Sequence, residues 1–191
     1  MNLFKGVVKD LSSVNINWIN DKSPIYVNGY RMAAEKLSID YEKLQTQEKD
    51  SLIFPIIFLY RQHIELALKG IIRQLDVELG FNRKDKILVR HKLLKLWDEA
   101  NDCYNNFIQK NSTTLVFTTS SVTKERAVVK CFNNIDEDSF SFRYSTDTKG
   151  NDNLKGINYI SLNNFQMKIL PVIDHIDKMI ETLAHSIDMN K

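Results

Sequence analysis

At 191 residues, 43% of them hydrophobic and 26% charged, the chain can enclose one substantial core without staples, which excludes the disordered and disulfide-scaffold classes. Six Gly and three Pro are too few for a β-rich protein of many tight turns, so the expectation is a single, mainly helical domain. A net charge of +2, from 26 Lys and Arg against 24 Asp and Glu, does not by itself imply a nucleic-acid partner; any such argument rests on local distribution.

Cys103 and Cys131 lack metal-like spacing and fit free thiols in a reducing compartment. The opening MNLFKGVVKDLSSV has no long uncharged apolar core of a secretory signal. The run LIFPIIFLY is too short to span a bilayer before Arg61 interrupts it. The expected location is the cytoplasm, with no membrane partner.

In chain order, residues 1–29 mix apolar Val7, Val8, Val14, Ile16, Trp18 and Ile19 with Ser, Asn and Pro24, and read as a docking arm. Residues 30–110 hold three main helices. The first carries Tyr30, Ala33, Ala34, Leu37, Tyr41 and Leu44 on one face and charges on the other. A short connection, QEKDS, then leads to a long helix from Ser51 to Leu79, with Asp50 or Ser51 as its cap, Pro55 near its first turn and Gly80 as its left-handed end.

At about 100° per residue, Ile53, Ile57, Tyr60, Ile64, Ala67, Leu68, Ile71 and Leu75 line one broad stripe of that helix, and a helix this apolar has to be enclosed. Arg61, Glu65 and Lys69 follow its narrow polar edge at i, i+4 spacing, as either a salt-bridge ladder or the lip of a site. His63 falls within the apolar arc and reads as a hydrogen-bonded core or interface histidine. The third helix, RHKLLKLWDEANDCYNNFIQK, is expected to bury Leu93, Leu94, Leu96, Trp97, Ala100, Tyr104, Phe107 and Ile108.

Residues 111–162 read as a loop, a shorter helix over Val122 to Asn134 with Ala127, Val128, Cys131 and Phe132 inward, and a small β-hairpin. The hairpin rests on the alternation of Phe140, Phe142 and Tyr144 against Ser141 and Arg143, a turn at Gly150 and a return strand from Gly156 to Leu162. Residues 163–189 form a final helix, with Phe165, Ile169, Val172, Ile173, Ile176, Ile180, Leu183 and Ile187 at helical spacing and Pro171 as a kink. Asp174, Asp177, Glu181 and His185 cluster on this helix, but without an HExxH motif a solvated polar face is the better reading and no metal is expected. No P-loop, dinucleotide-binding glycine pattern or GxSxG elbow is present, and no cofactor is expected.

Three phrases, FPIIFLYRQHIELALKGII, RHKLLKLWDEA and DSFSFRYSTDTKG, resemble uncharacterised bacterial proteins related to the HEPN superfamily (higher eukaryotes and prokaryotes nucleotide-binding). The resemblance lies in Tyr60-Arg61 followed by Glu65-Leu66 and Lys69, in His91 opening a Leu-Leu-x-Leu-Trp helix, and in Phe142-Arg143-Tyr144 with Asp147 and Gly150; it covers about the central half of the chain. It implies a HEPN-like helical bundle, a homodimer, and an RNA-directed role in bacterial defence or stress beside a cognate antitoxin or defence-system protein. A metal-independent ribonuclease would then use Arg61 or Arg143 as a phosphate fork, His91 as general base and Glu65 to orient it.

The chain departs from the superfamily's active pattern, an Arg and a His one to about two turns apart on one helix. Arg61 and His63 sit about 200° apart, Arg83 and His91 are too widely spaced, and Arg90 and His91 are adjacent. A noncatalytic dimerisation or adaptor module is the competing expectation. Between Arg83 and Lys95, six basic residues (Arg83, Lys84, Lys86, Arg90, Lys92 and Lys95) against the single Asp85 either follow an RNA backbone or form a solvated face.

Overall fold

The computed structural model describes residues 11–16, 18–80, 91–111 and 119–188, and these contain five α-helices and no β-strand. The helices are α1 (Ser23–Ser38), α2 (Thr46–Leu79), α3 (Leu93–Lys110), α4 (Thr119–Ile135) and α5 (Leu162–Asp188). α2 packs against α1, α3 and α5, while α4 joins α3 to α5.

Every residue of the apolar stripe expected on α2 is buried, as are Ile56 and Ile72 beside it. Each such large aliphatic side chain contributes about 1.5–3 kcal/mol when withdrawn from water. α2 begins earlier than its apolar pattern suggested. Gln45 and Glu48 close a capping box, in which the Gln45 amide donates to Glu48 Oε2 at 3.0 Å, so QEKDS belongs to the helix rather than to a connection. Pro55 consequently lies well inside α2. It denies a helical donor to the carbonyl of Ser51, a residue exposed to solvent that can take its place. Gly80 ends the helix at φ 71°, a conformation that a residue without Cβ adopts freely.

α1 starts seven residues before Tyr30, because Pro24 occupies its first turn and has no amide to satisfy. It stops at Ser38, and Asp40 at φ 61° turns the chain into a single 3₁₀ turn, Tyr41–Lys43. α4 is rotated from its expected setting: Val129 and Phe132 are buried, whereas Ala127 and Cys131 are exposed. Phe132 sets this rotation by meeting Phe142 and Phe165 at ring-centroid distances of 6.0 and 5.7 Å, and Val129, three residues earlier, shares its face. On α5, Met179 and His175 take the buried position while Ile180 is 37% exposed. Both cysteines are free thiols, Cys103 in the core and Cys131 at the surface.

The expected hairpin is corrected. Residues 139–144 form a turn, in which the Arg143 and Tyr144 amides both donate to the Phe140 carbonyl at 3.0 Å and Ser139 adopts φ 64°. The return segment is irregular up to Leu162, which opens α5. What remains is one isolated antiparallel bridge, Thr146 to Asp152, around Gly150. Phe140 and Tyr144, four residues apart, lie side by side against the Arg143 guanidinium, while Phe142 turns into the core against Phe132, so the aromatic spacing of a strand here belongs to a turn.

By length and composition, α2 has one window apolar enough to cross a membrane, and 56% of that window is buried inside the fold.

Candidate functional site

The i, i+4 spacing on α2 aligns Arg61, Glu65 and Lys69, and the fold buries all three, leaving 0%, 2% and 7% of their surface exposed. The row expected on a polar edge is therefore an internal charge cluster. Glu65 lies at its centre. Its Oε2 accepts from Arg61 Nη1 at 2.6 Å, and its Oε1 accepts from Lys69 Nζ at 2.7 Å and faces His91 Nδ1 at 2.8 Å. Burial pushes the Glu65 carboxyl up, but the bonds and charges of Lys69 and Arg61 outweigh it and hold the group below its ordinary 4.5. With the carboxylate ionised, His91 presents Nδ1–H to it, which leaves Nε2 as the acceptor of the neutral ring.

The remaining edges of Arg61 are engaged by residues distant in sequence. Nε stands 3.0 Å from Asp136 Oδ2, and Nη2 donates to the His91 carbonyl at 2.6 Å, with longer bonds to the Asp136 carbonyl. Asp136 is itself 1% exposed and accepts the Ser141 amide on Oδ1 at 2.9 Å. Arg61 thus ties α2 to the segment entering α3 and to the turn leaving α4. Removing one partner from such a cluster leaves an uncompensated charge indoors, at a cost of about 3–5 kcal/mol.

His91 immediately precedes Lys92, the N-cap of α3, and its side chain is 50% exposed. It is the one member of the cluster whose ring reaches solvent. Arg143 is elsewhere. Its Nε donates to the Ser139 carbonyl at 2.5 Å, and its guanidinium carbon sits 5.0 to 5.4 Å from the ring centroids of Phe140, Phe58 and Tyr144. The structure therefore brings Arg61, Glu65 and His91 together and places Arg143 on the outer side of the 136–143 turn. The left-handed Ser139 costs on the order of 1–3 kcal/mol, and Gln62 Nε2 donating to its hydroxyl at 3.0 Å helps to hold it.

Of the basic run, Arg83, Lys84, Lys86 and Arg90 lie outside the described residues. Lys92 pairs with Glu137 at 2.6 Å, and Lys95 is exposed. Asp136 was invisible to spacing arguments, since it lies 75 residues from Arg61 in an acidic stretch that reads as surface.

Two further histidines are buried away from this cluster. His63 donates from Nδ1 to the Val27 carbonyl at 3.0 Å, pinning α1 to α2, and burial pushes its pKa down against the opposing effect of that bond. His175 stacks on Trp97 with centroids 4.8 Å apart and donates from Nε2 to Asn101 Oδ1 at 3.1 Å; burial, with a smaller contribution from Lys178, lowers its pKa to about 4. Among the described residues no group of His, Cys, Asp and Glu is arranged to hold a metal, and Asp177 on α5 pairs with Arg31 on α1.

No protein-family model, curated protein or solved structure matches the chain.

Proposed function

We propose that this chain is a noncatalytic dimerisation or adaptor module of HEPN-like kind, in which the arginine position of a ribonuclease has become a structural lock. One observation carries the reading: Arg61 is wholly buried and engaged by Glu65, Asp136 and the His91 carbonyl. A phosphate fork needs two parallel N–H groups facing the ligand, and turning Arg61 outward would strand two buried carboxylates. Dimerisation is supported by an exposed apolar strip near the N-terminus, in which Val14, Ile16, Trp18, Ile25 and Tyr26 are between 42% and 81% exposed. Clustered apolar surface of this kind is a common mark of association.

A second reading, an RNA-directed ribonuclease of bacterial defence or stress, is favoured by the half-exposed His91 ring oriented through Nδ1 on a buried carboxylate. In that reading Nε2 takes the proton of a ribose hydroxyl, Glu65 orients the ring, and Lys95 contacts the backbone. Incubating wild type and His91→Ala with mixed RNA in EDTA, beside a light-scattering mass, separates the two. The adaptor reading expects a dimer and no cleavage by either protein. Cleavage by wild type and none by His91→Ala would overturn it in favour of the ribonuclease.

A further inference from the structure

Beside the 139–144 turn, Arg143 lines a cavity of about 490 Å³ together with Phe54, Tyr144, Asp152, Asn153 and Lys155. The cavity shares no lining residue with the Arg61, Glu65, Lys69, His91 and Asp136 cluster, so what it does is independent of the adaptor reading.

Three features make Arg143 unlike the paired arginines. Arg31, Arg61 and Arg126 each hold a carboxylate. Arg143 makes no ion pair among the described residues, although Asp152 lines the same cavity. Its Nε is committed to the Ser139 carbonyl and its faces are covered by aromatic rings. What remains is the Nη1 and Nη2 edge, for which no acceptor is found among the described residues. That edge matches the two oxygens of a carboxylate or phosphate, and because the side chain is already held, little rotamer freedom is lost when an anion arrives.

The other walls define the rest of the ligand. Phe54 and Tyr144 are 41% and 53% exposed, large aromatic surfaces left open beside the cation. Lys155 adds a second positive charge and Asp152 offsets one, leaving the lining with a formal charge of one positive. Asn153 donates to the Tyr144 carbonyl at 2.7 Å, which fixes that side of the wall. The volume lies within the range of small-molecule sites, and the mix of apolar wall with a few convergent polar groups is their usual composition.

We propose that this cavity binds a small organic anion carrying a flat ring: the Arg143 edge takes a carboxylate or phosphate head, and the ring lies against Phe54 and Tyr144. A carboxylate and a phosphate monoester present the same chemistry to a guanidinium, so the test carries both. Titrating full-length, ¹⁵N-labelled protein with phenyl phosphate, benzoate and inorganic phosphate, and following amide and arginine side-chain shifts, reads affinity and location together.

The expected result is saturable binding of phenyl phosphate, benzoate or both, with shifts at Phe54, Arg143, Tyr144 and Lys155, and with the stronger arm identifying the head group. Inorganic phosphate binds at least about tenfold more weakly, since it has no ring. Arg143→Lys keeps the charge but loses the fork, and weakens binding about tenfold. Tyr144→Leu weakens it about threefold, and Arg126→Lys, on the exposed face of α4, leaves it unchanged. Arg143 and Tyr144 are both surface-accessible, and Lys155→Gln supplies a further variant with an expected loss should either disturb the turn. The proposal is overturned by absence of saturable binding, by Arg143→Lys binding as wild type, or by inorganic phosphate binding as tightly as phenyl phosphate.

Discussion

Arg61 and Arg143 hang on the same turn and have opposite surroundings. Arg61 holds the Asp136 end of that turn from inside, with its charge neutralised by two buried carboxylates. Arg143 leaves the other end, bonded to the Ser139 carbonyl and stacked on rings at the surface. Ser141 links the two, since its amide donates to Asp136 Oδ1. One side chain type therefore serves as a lock where each guanidinium nitrogen meets a fixed acceptor, and as a receptor where an edge is left open. Charge and residue type alone do not distinguish the two; the number of partners already in place does.

The contrast breaks most severely at Glu65. Glu65→Ala strips Arg61 and Lys69 of their shared acceptor inside the fold, and a loss of about 3–5 kcal/mol is expected from urea titration. Asp136→Asn keeps an oxygen for the Ser141 amide but removes the charge facing Arg61. About 1.5–3 kcal/mol is expected there, together with a changed near-ultraviolet spectrum as the Phe140, Arg143 and Tyr144 stack loosens.

Acid probes a different part of the core. His63 and His175 both have folded pKa values depressed by burial, so the unfolded chain binds the extra protons. Their contribution is fully present above the ordinary 6.5 and is lost as pH falls, for His175 down to about 4. Thermal midpoints should decline across that window, most of which lies above 4.5, the ordinary value below which the Glu65 carboxyl is held. His175→Gln, which still donates to Asn101, should flatten the decline; a profile identical to wild type would mean that His175 does not carry it. The smallest effect is expected at Arg126→Ala. That pair with Asp98 sits in solvent, and an unchanged urea midpoint would mark it as a surface contact of the ordinary weak kind.

The apolar stripe of α2 was legible because periodicity near 100° per residue survives any choice of partners. The alignment of Arg61, Glu65 and Lys69 was legible for the same reason, but their depth was not. Depth depends on what covers a helix face, and the cover here is Asp136, separated by 75 residues with no pattern to announce it. The early start of α1 had a readable sign in Pro24, where an amide is not needed, and the sign was outweighed by the polar residues around it. The misread hairpin has a different cause. Alternating aromatics are evidence for a strand only when they pack on a sheet, and here Phe140 and Tyr144 lie side by side against a cation while Ser139 bends the chain out of any extended path. Cys131 was read inward from its neighbours, although the side of α4 that enters the core is set by where Phe132 meets Phe142 and Phe165.

The most direct measurement places the two arginines side by side. Urea unfolding of Arg61→Lys and Arg143→Lys compares the same substitution at the lock and at the open edge. Lysine cannot satisfy Glu65, Asp136 and the His91 carbonyl together, so Arg61→Lys should lose about 2–3 kcal/mol. At Arg143 the exposed stack should lose no more than about 1 kcal/mol. Equal losses at the two positions, or an Arg61→Lys protein as stable as wild type, would contradict the assignment of Arg61 as a structural lock.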